Sequence, residues 1–285
     1  MTKNTSFDSK RYKQSQKEQW NQDAAAWHRW GTTLQNWFGE VTELMLDRAN
    51  LASSSRVLDI ATGAGEPALS AAARLGPEGY VLATDLSENI VRFAQQVGKK
   101  QGITNLETRV MDGEDPDLPD DDFDVILCRF GLMFMPDRRK ALSEWRRILK
   151  PDGRVVVAVF STPDYNEWAA VPLSIIRQRA QLPTVLGELG LFCLGGQGVL
   201  QNALEEAGFR QIETQFLSTP MRMDSVEEYT RFARESLGSF NQMMSHLPKE
   251  ERESIWDEVG EAMRQFESAE GLEVPCEPLV GLGIK

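Results

Sequence analysis

Hydrophobic and polar positions follow two alternating patterns along the central part of the chain. Short, continuous apolar runs are separated by longer segments in which apolar residues return every three or four positions, the spacing of one helix face. The runs predict strands at 56–60, 81–84, 106–110, 123–128, 154–160, 211–217 and 278–284. Buried strands joined by helix-length connections indicate a sheet that is mostly parallel and covered on both faces. We therefore predict an α/β fold with a doubly wound, Rossmann-like sheet of seven strands.

The connections between these strands carry the residue types that begin helices. Pro67 is suited to the first position of one helix, and Ser87 and Asp137 are expected to cap two others. The segment 15–49, before the first strand, also has helical periodicity. The sequence therefore predicts a helical segment before the first strand as well as helices in the connections between strands.

Composition and charge narrow the classes of partner. The 285 residues contain 31 Lys and Arg against 43 Asp and Glu, a net charge of −12, which disfavours nucleic acid and anionic membrane surfaces. The apolar stretch 155–160 is too short to span a bilayer, and no apolar run follows the polar first four residues. Three widely spaced cysteines indicate neither a disulfide framework nor a metal site. We expect a cytoplasmic protein.

A glycine-bearing turn follows the first predicted strand. The segment 57–66 has Asp59 four residues before Gly63, then Gly65, and Asp85 follows twenty residues later at the end of the next strand. Glycines let a ligand approach the backbone, and a carboxylate at Asp85 can accept both hydroxyls of a ribose. The pattern satisfies a dinucleotide fingerprint. Asp59 and Glu66, however, favour a ligand with a cationic end over a pyrophosphate.

The motifs resemble those of class I S-adenosylmethionine-dependent methyltransferases. The segments 57–66, 122–132 and 141–154 are similar to the ubiquinone/menaquinone C-methyltransferase-like branch, over roughly residues 55–160. The chain departs from the family where Ala61 replaces the first glycine and Asp152 replaces the glycine before Gly153. The resemblance implies that Asp112 binds the adenine amino group and that the last strand is antiparallel. The expected cofactor-binding residues are Asp59, Ala61, Gly63, Gly65, Asp85, Leu86, Asp112, Gly113 and Arg129.

Candidates for acceptor binding and catalysis come from two other segments. Four of the seven tryptophans precede the first strand, and helix packing accounts for two or three of them. We expect the acceptor to contact Trp27, Trp30, Phe130 and Met133. His28 is a candidate base, although a surface role is the commoner one for such a histidine. Arg129 is able to hold an anionic acceptor or to pair with a neighbouring carboxylate.

These assignments divide the chain into segments. The predicted boundaries are 1–52 for a helical lid, 53–162 for the cofactor-binding core, 163–196 for a cap insertion, 197–218 for the continued core, 219–270 for a helical cap and 271–285 for the final strand. We predict transfer of a methyl group from S-adenosylmethionine to a small aromatic or hydrophobic acceptor, at oxygen, nitrogen or carbon. The alternatives are an NAD-dependent oxidoreductase and a non-catalytic cofactor-binding protein.

Overall fold

The computed structural model of the protein describes residues 8–182 and 189–285. Its strands, in chain order, are β1 (Arg56–Ile60), β2 (Tyr80–Asp85), β3 (Leu106–Val110), β4 (Phe123–Arg129), β5 (Leu149–Phe160), β6 (Arg210–Phe216), β7 (Met221–Met223), β8 (Glu267–Ser268), β9 (Gly271–Val274) and β10 (Pro278–Ile284). Its α-helices are α1 (Ser9–Arg29), α2 (Gly31–Ala49), α3 (Ala68–Arg74), α4 (Glu88–Lys100), α5 (Arg138–Ile148), α6 (Glu167–Arg179), α7 (Val199–Glu206), α8 (Val226–Ser236), α9 (Gly238–Met243) and α10 (Lys249–Met263).

The main sheet has seven strands in the order β3-β2-β1-β4-β5-β10-β6. The strands from β3 to β5 are mutually parallel, whereas β10 is inserted antiparallel between β5 and β6. The antiparallel last strand and the doubly wound sheet are thus confirmed. Because β1 lies between β2 and β4, with Asp59 aligned to Ala83 and Leu127, the segments that follow these three strands meet at one edge.

Local capping explains several helix starts. The side chain of Ser87 accepts a hydrogen bond from the Ile90 N–H, and that of Asp137 accepts one from the Lys140 N–H, so both predicted caps are confirmed. Pro67 instead lies one position before α3. The strand predicted from 154 begins earlier, at Leu149, because the polar turn at 151–153 is part of β5.

The segment 15–49, predicted to be helical, is covered by two helices. The chain breaks at Trp30, and α2 begins at Gly31. Only Asp23, Ala24 and Ala26 are buried in α1, whereas eight residues of α2 are buried, among them Val41, Met45 and Leu46 in the core. Contacts with the sheet are therefore made mainly by α2, whereas α1 lies mainly against α4 and α8.

A second sheet was not predicted. The short strands β7, β9 and β8 form an antiparallel sheet in that order, beside α8. The segment predicted as a helical cap, 219–270, therefore contains two strands as well as helices, and part of 271–285 belongs to the small sheet. Residues 1–7 of the predicted lid and 183–188 of the predicted insertion lie outside the described residues. Among the described helices, none is long and apolar enough to cross a bilayer.

Candidate active site

The glycine turn after β1 is built by backbone hydrogen bonds. The Thr62 N–H donates to the Thr84 carbonyl at 2.9 Å, which joins the turn to β2, and the Gly65 N–H donates to the Thr62 carbonyl at 3.0 Å. Gly63 and Gly65 have φ of +55° and +106°, and Ala61 has φ of +60°. The φ of Gly65 favours glycine, and a Cβ there would stand 2.7 Å from the end of the Leu69 side chain, which would have to shift.

Asp59 is a buried carboxylate at the start of this turn. Within residues 8–182 and 189–285, neither of its oxygens has a hydrogen-bond partner, and its exposed fraction is 0%. Burial raises the pKa of Asp59 to about 7, and the neighbouring Thr62 hydroxyl and Arg129 guanidinium offset this only in part. An unpartnered buried carboxylate is costly, so the position is suited to a ligand that brings hydrogen-bond donors and positive charge.

Asp85 closes the other side of the turn from the end of β2. One of its oxygens accepts the Gly63 N–H at 3.2 Å and the other accepts the Ser87 N–H at 3.0 Å. Burial raises the pKa of Asp85 to about 6, although these backbone donors favour the ionised form. Leu86 follows it and is half-buried. The structure therefore brings Asp85 to the glycine turn, as the spacing predicts.

Asp112 lies after β3, and its carboxylate is already engaged. One oxygen accepts the Glu114 N–H at 2.9 Å, and the other is 2.7 Å from the Nζ of Lys13 in α1. The Gly113 carbonyl accepts the indole N–H of Trp145 at 2.7 Å. The sequence interpretation did not include Lys13, which is 99 residues away in the chain.

Arg129 ends β4 beside the turn. It donates to the Thr42 hydroxyl at 2.7 Å and stands 5.7 Å from the centre of the Phe38 ring. Burial lowers its pKa, against the charges of Glu66 and Asp59. In the described part of the chain, no carboxylate is within ion-pair distance of it. The predicted alternative of a direct carboxylate pair is therefore wrong for the described residues, and the guanidinium is suited to an external anion.

Comparison with known proteins identifies the family. A family model described as a methyltransferase domain matches residues 58–157. The nocamycin O-methyltransferase of Saccharothrix syringae is 28% identical over 67% of this chain and 71% of its own length. The ubiquinone/menaquinone biosynthesis C-methyltransferase UbiE of Cupriavidus metallidurans is 37% identical over 58% of this chain and 72% of its own length. The chain is a class I S-adenosylmethionine-dependent methyltransferase of the UbiE-like branch.

The fold of this methyltransferase agrees with a solved structure. The YcgJ protein of Bacillus subtilis is 21% identical, with a TM-score of 0.59 over 87% of this chain and 98% of that one. The family match decides between the two interpretations of the glycine turn, in favour of S-adenosylmethionine and against a dinucleotide. The match therefore excludes the NAD-dependent alternative.

One of the four predicted acceptor residues of the methyltransferase, Trp27, lies at the turn, and Phe130 lies one residue before Gly131, where an added Cβ would stand 2.5 Å from that of Ala61. The edge of the Trp27 ring is 4.0 Å from the point that a Cβ on Gly63 would occupy, and its indole N–H donates to the Ser236 carbonyl at 2.8 Å. Phe130 has φ of +62° and stacks on Phe160 with ring centres 4.2 Å apart. Both residues are half-buried.

The other two are packing residues, which corrects the prediction. Trp30 is 8% exposed, lies edge-on to Phe232 and donates to Glu235 at 3.0 Å. Met133 is 1% exposed and belongs to the core. Each side chain is enclosed by protein, because the helix break at Trp30 and the short helical turn at 132–134 direct them inward.

His28 is not brought to the site either. It is exposed on α1, and its ring stacks on that of Phe93 in α4 with centres 4.6 Å apart. This placement argues against His28 as a base, and we assign it no role in the reaction. The rings that lie near Trp27 are those of Trp20 and Phe134. The ring centres are 5.4 Å apart for Trp20–Trp27 and 6.0 Å apart for Trp20–Phe134. We call Trp20, Trp27 and Phe134 the mouth aromatics.

The sequence did contain a pattern that leads to these residues. Lys13, Trp20 and Trp27 are spaced by seven, which is two helical turns, so they share one face of α1. That face lies against the carboxyl ends of the strands, whereas His28, one residue later, faces α4.

Proposed function

We propose that this methyltransferase transfers the methyl group of S-adenosylmethionine to a small aromatic or hydrophobic acceptor. The observation that carries the acceptor class is the Trp27 ring beside Gly63, with Trp20 edge-on to Trp27 and Phe134 edge-on to Trp20, which offers apolar aromatic surface next to the glycine turn. The names of the two relatives, an O-methyltransferase and a C-methyltransferase, favour oxygen or carbon as the methylated atom.

The residues around the turn fit the cofactor. Its amino acid end has an ammonium and a carboxylate, for which we propose the unpartnered Asp59 and the unpaired Arg129 respectively. Asp85 is proposed to accept the ribose hydroxyls and Asp112 the adenine amino group. Backbone and side-chain contacts are further proposed for the remaining predicted residues, Ala61, Gly63, Gly65, Leu86 and Gly113.

The bound cofactor supplies a methyl group on a positively charged sulfur, which is already activated for transfer. The chain's own contribution is alignment and exclusion of water, and orientation alone is worth about 7–11 kcal/mol of a barrier. The apolar rings of the mouth aromatics are suited to excluding water and to aligning a flat acceptor. Their ring faces also attract a cation such as the sulfonium. We assign no general base to the chain. An acceptor that arrives as an enolate or phenolate needs none.

The test is transfer of labelled methyl groups to a panel of acceptors. We expect phenols, quinols and polyketide-like rings to be methylated and simple aliphatic amines not to be. Trp20→Ala should raise KM for the acceptor about tenfold with little change in cofactor affinity, because about 1–2 kcal/mol of aromatic contact is lost. Lys10→Ala, on the exposed part of α1, is the matched control. Labelling confined to aliphatic amines would contradict the proposed acceptor class.

A further inference from the structure

Helix α1 passes along the carboxyl ends of three neighbouring strands. Trp27 lies at the turn after β1. Asn21 accepts hydrogen bonds from the Ser87 hydroxyl at 2.7 Å and the Asn89 N–H at 3.2 Å, after β2. Lys13 reaches Asp112 and Glu114, after β3. One helix thus contacts the segments after β1, β2 and β3, three of the four strands from which we propose that the cofactor is bound.

The contact of Lys13 is more than a surface ion pair. Its Nζ is 2.7 Å from an oxygen of Asp112 and 2.7 Å from an oxygen of Glu114, whose side chain is only 4% exposed. The other Glu114 oxygen accepts the Asp137 N–H at 3.0 Å, and the other Asp112 oxygen accepts the Glu114 N–H. Without the lysine, two carboxylates would face each other, one of them buried, and their repulsion would displace the more exposed one, Asp112.

The neighbouring pair on the same helix provides a contrast. Lys17 lies one turn later and is 3.2 Å from Glu88, whose side chain is 69% exposed. Exposed pairs of this kind contribute little to stability or position. Lys17 and Lys13 therefore share a helix and a charge, but Lys13 contacts a buried carboxylate and Lys17 an exposed one.

We propose that Lys13 is a positioning residue for cofactor recognition, acting through Asp112. By neutralising the Asp112–Glu114 pair from α1, Lys13 fixes the carboxylate that accepts the adenine amino group. Closure of α1 is thereby linked to recognition of the adenine ring of the cofactor. This inference rests on the proposed role of Asp112. One third of the Asp112 side chain is exposed, which leaves its oxygens room to accept a further hydrogen bond.

Replacing the adenine ring of the ligand gives a direct test. S-inosylhomocysteine differs from S-adenosylhomocysteine in having a carbonyl oxygen where adenine has its amino group, so a fixed carboxylate should repel it. Calorimetry measures the Kd of both ligands for the native chain, Lys13→Met, Lys17→Met and Asp112→Asn. We expect the native chain and Lys17→Met to prefer the adenosyl ligand at least about tenfold. Lys13→Met should bind the adenosyl ligand about tenfold more weakly and lose most of the preference.

The outcomes separate the two assignments. If the native chain has no preference, the proposed role of Asp112 fails and the inference fails with it. If the native chain and Asp112→Asn differ in preference but Lys13→Met keeps the native one, only the role of Lys13 is overturned. An equal weakening of both ligands by Lys13→Met also overturns it, because simple loosening of α1 would be sufficient. Thermal melting confirms that each variant is folded, and Lys13→Gln, with a polar end, repeats the test should Lys13→Met not fold.

Discussion

Asp59 has an environment that is unfavourable to its own charge. A carboxylate with 0% exposure and no partner among the described residues destabilises the ligand-free chain whenever it is ionised. Such an arrangement is retained where a ligand compensates it, and we propose that the amino acid end of S-adenosylmethionine does so here. Binding of the cofactor is therefore expected to remove the free-energy cost of burying ionised Asp59, and this relief contributes to the affinity for the cofactor.

The pH dependence of Asp59→Asn tests this argument. The folded-state pKa, about 7, is above the ordinary value near 4, so the folded chain holds the proton more tightly than the unfolded one. The loss of folding stability caused by ionised Asp59 is absent below about pH 4, grows as pH rises and is complete above pH 7. Asp59→Asn should therefore raise Tm at pH 8, with little effect at pH 4, while weakening S-adenosylhomocysteine binding at pH 8. A lower Tm at pH 8 would contradict the assignment.

Arg129 has the complementary situation, a half-buried cation that donates to Thr42 and lies near the Phe38 ring, with the charges of Glu66 and Asp59 acting from beyond ion-pair distance. Arg129→Met should weaken S-adenosylhomocysteine binding by about 1.5–3 kcal/mol, the value of a charge-assisted hydrogen bond. Binding of 5′-methylthioadenosine, which lacks the amino acid carboxylate, should be unchanged. Equal losses for both ligands, measured by calorimetry, would show that Arg129 supports the site without contacting the carboxylate.

At the scale of elements, what the sequence predicts depends on the length of the pattern. The strands and helices of the main sheet are long enough for periodicity to define them, so the order of elements and both caps were predicted. The strands β7, β8 and β9 have two to four residues and are held by each other rather than by any local pattern. The break at Trp30 was missed because apolar spacing continues across it, although Gly31 and two threonines follow.

The site residues divide along the same line. Asp59 lies near the end of β1, Asp85 ends β2 and Asp112 follows β3, so their meeting at one edge results from parallel pairing alone. Trp30, Met133 and His28 are on helical segments, where one residue of offset changes the direction of a side chain by about 100°. Proximity in sequence to Trp27 therefore could not place His28 or Trp30 at the turn.

The two tryptophans that flank the helix break should respond differently to truncation. Trp30→Ala removes a side chain packed on Phe232 and should lower the free energy of unfolding by about 3–5 kcal/mol. Trp27→Ala removes a half-buried ring beside Gly63, so its larger effect should be on cofactor affinity and turnover. Urea unfolding and calorimetry of both variants measure the two effects. The reverse order would mean that Trp30, not Trp27, faces the ligand.

At the scale of the whole molecule, α1 lies over the carboxyl ends of the main sheet and is attached by polar contacts as well as by ring contacts such as that of His28 with Phe93. Its contacts include Lys13 with Asp112 and Glu114, Asn21 with Ser87 and Asn89, and Asp23 with α9 through the Gly238 N–H. With three buried residues against the eight of α2, α1 has the features of an element that opens without global unfolding. Opening of α1 would give both cofactor and acceptor a route to the glycine turn.

Hydrogen exchange measures this opening directly. In the ligand-free protein, the amides of α1 should exchange much faster than those of α2, whose residues Val41, Met45 and Leu46 are in the core. Saturating S-adenosylhomocysteine binds the closed form, and at a concentration of 100 Kd it stabilises that form by about 2.7 kcal/mol. Exchange in α1 should then slow by up to about a hundredfold, with little change in α2. If α1 is as protected as α2 before the ligand is added, or is unchanged after it, the helix is a fixed part of the fold and binding must proceed without its movement.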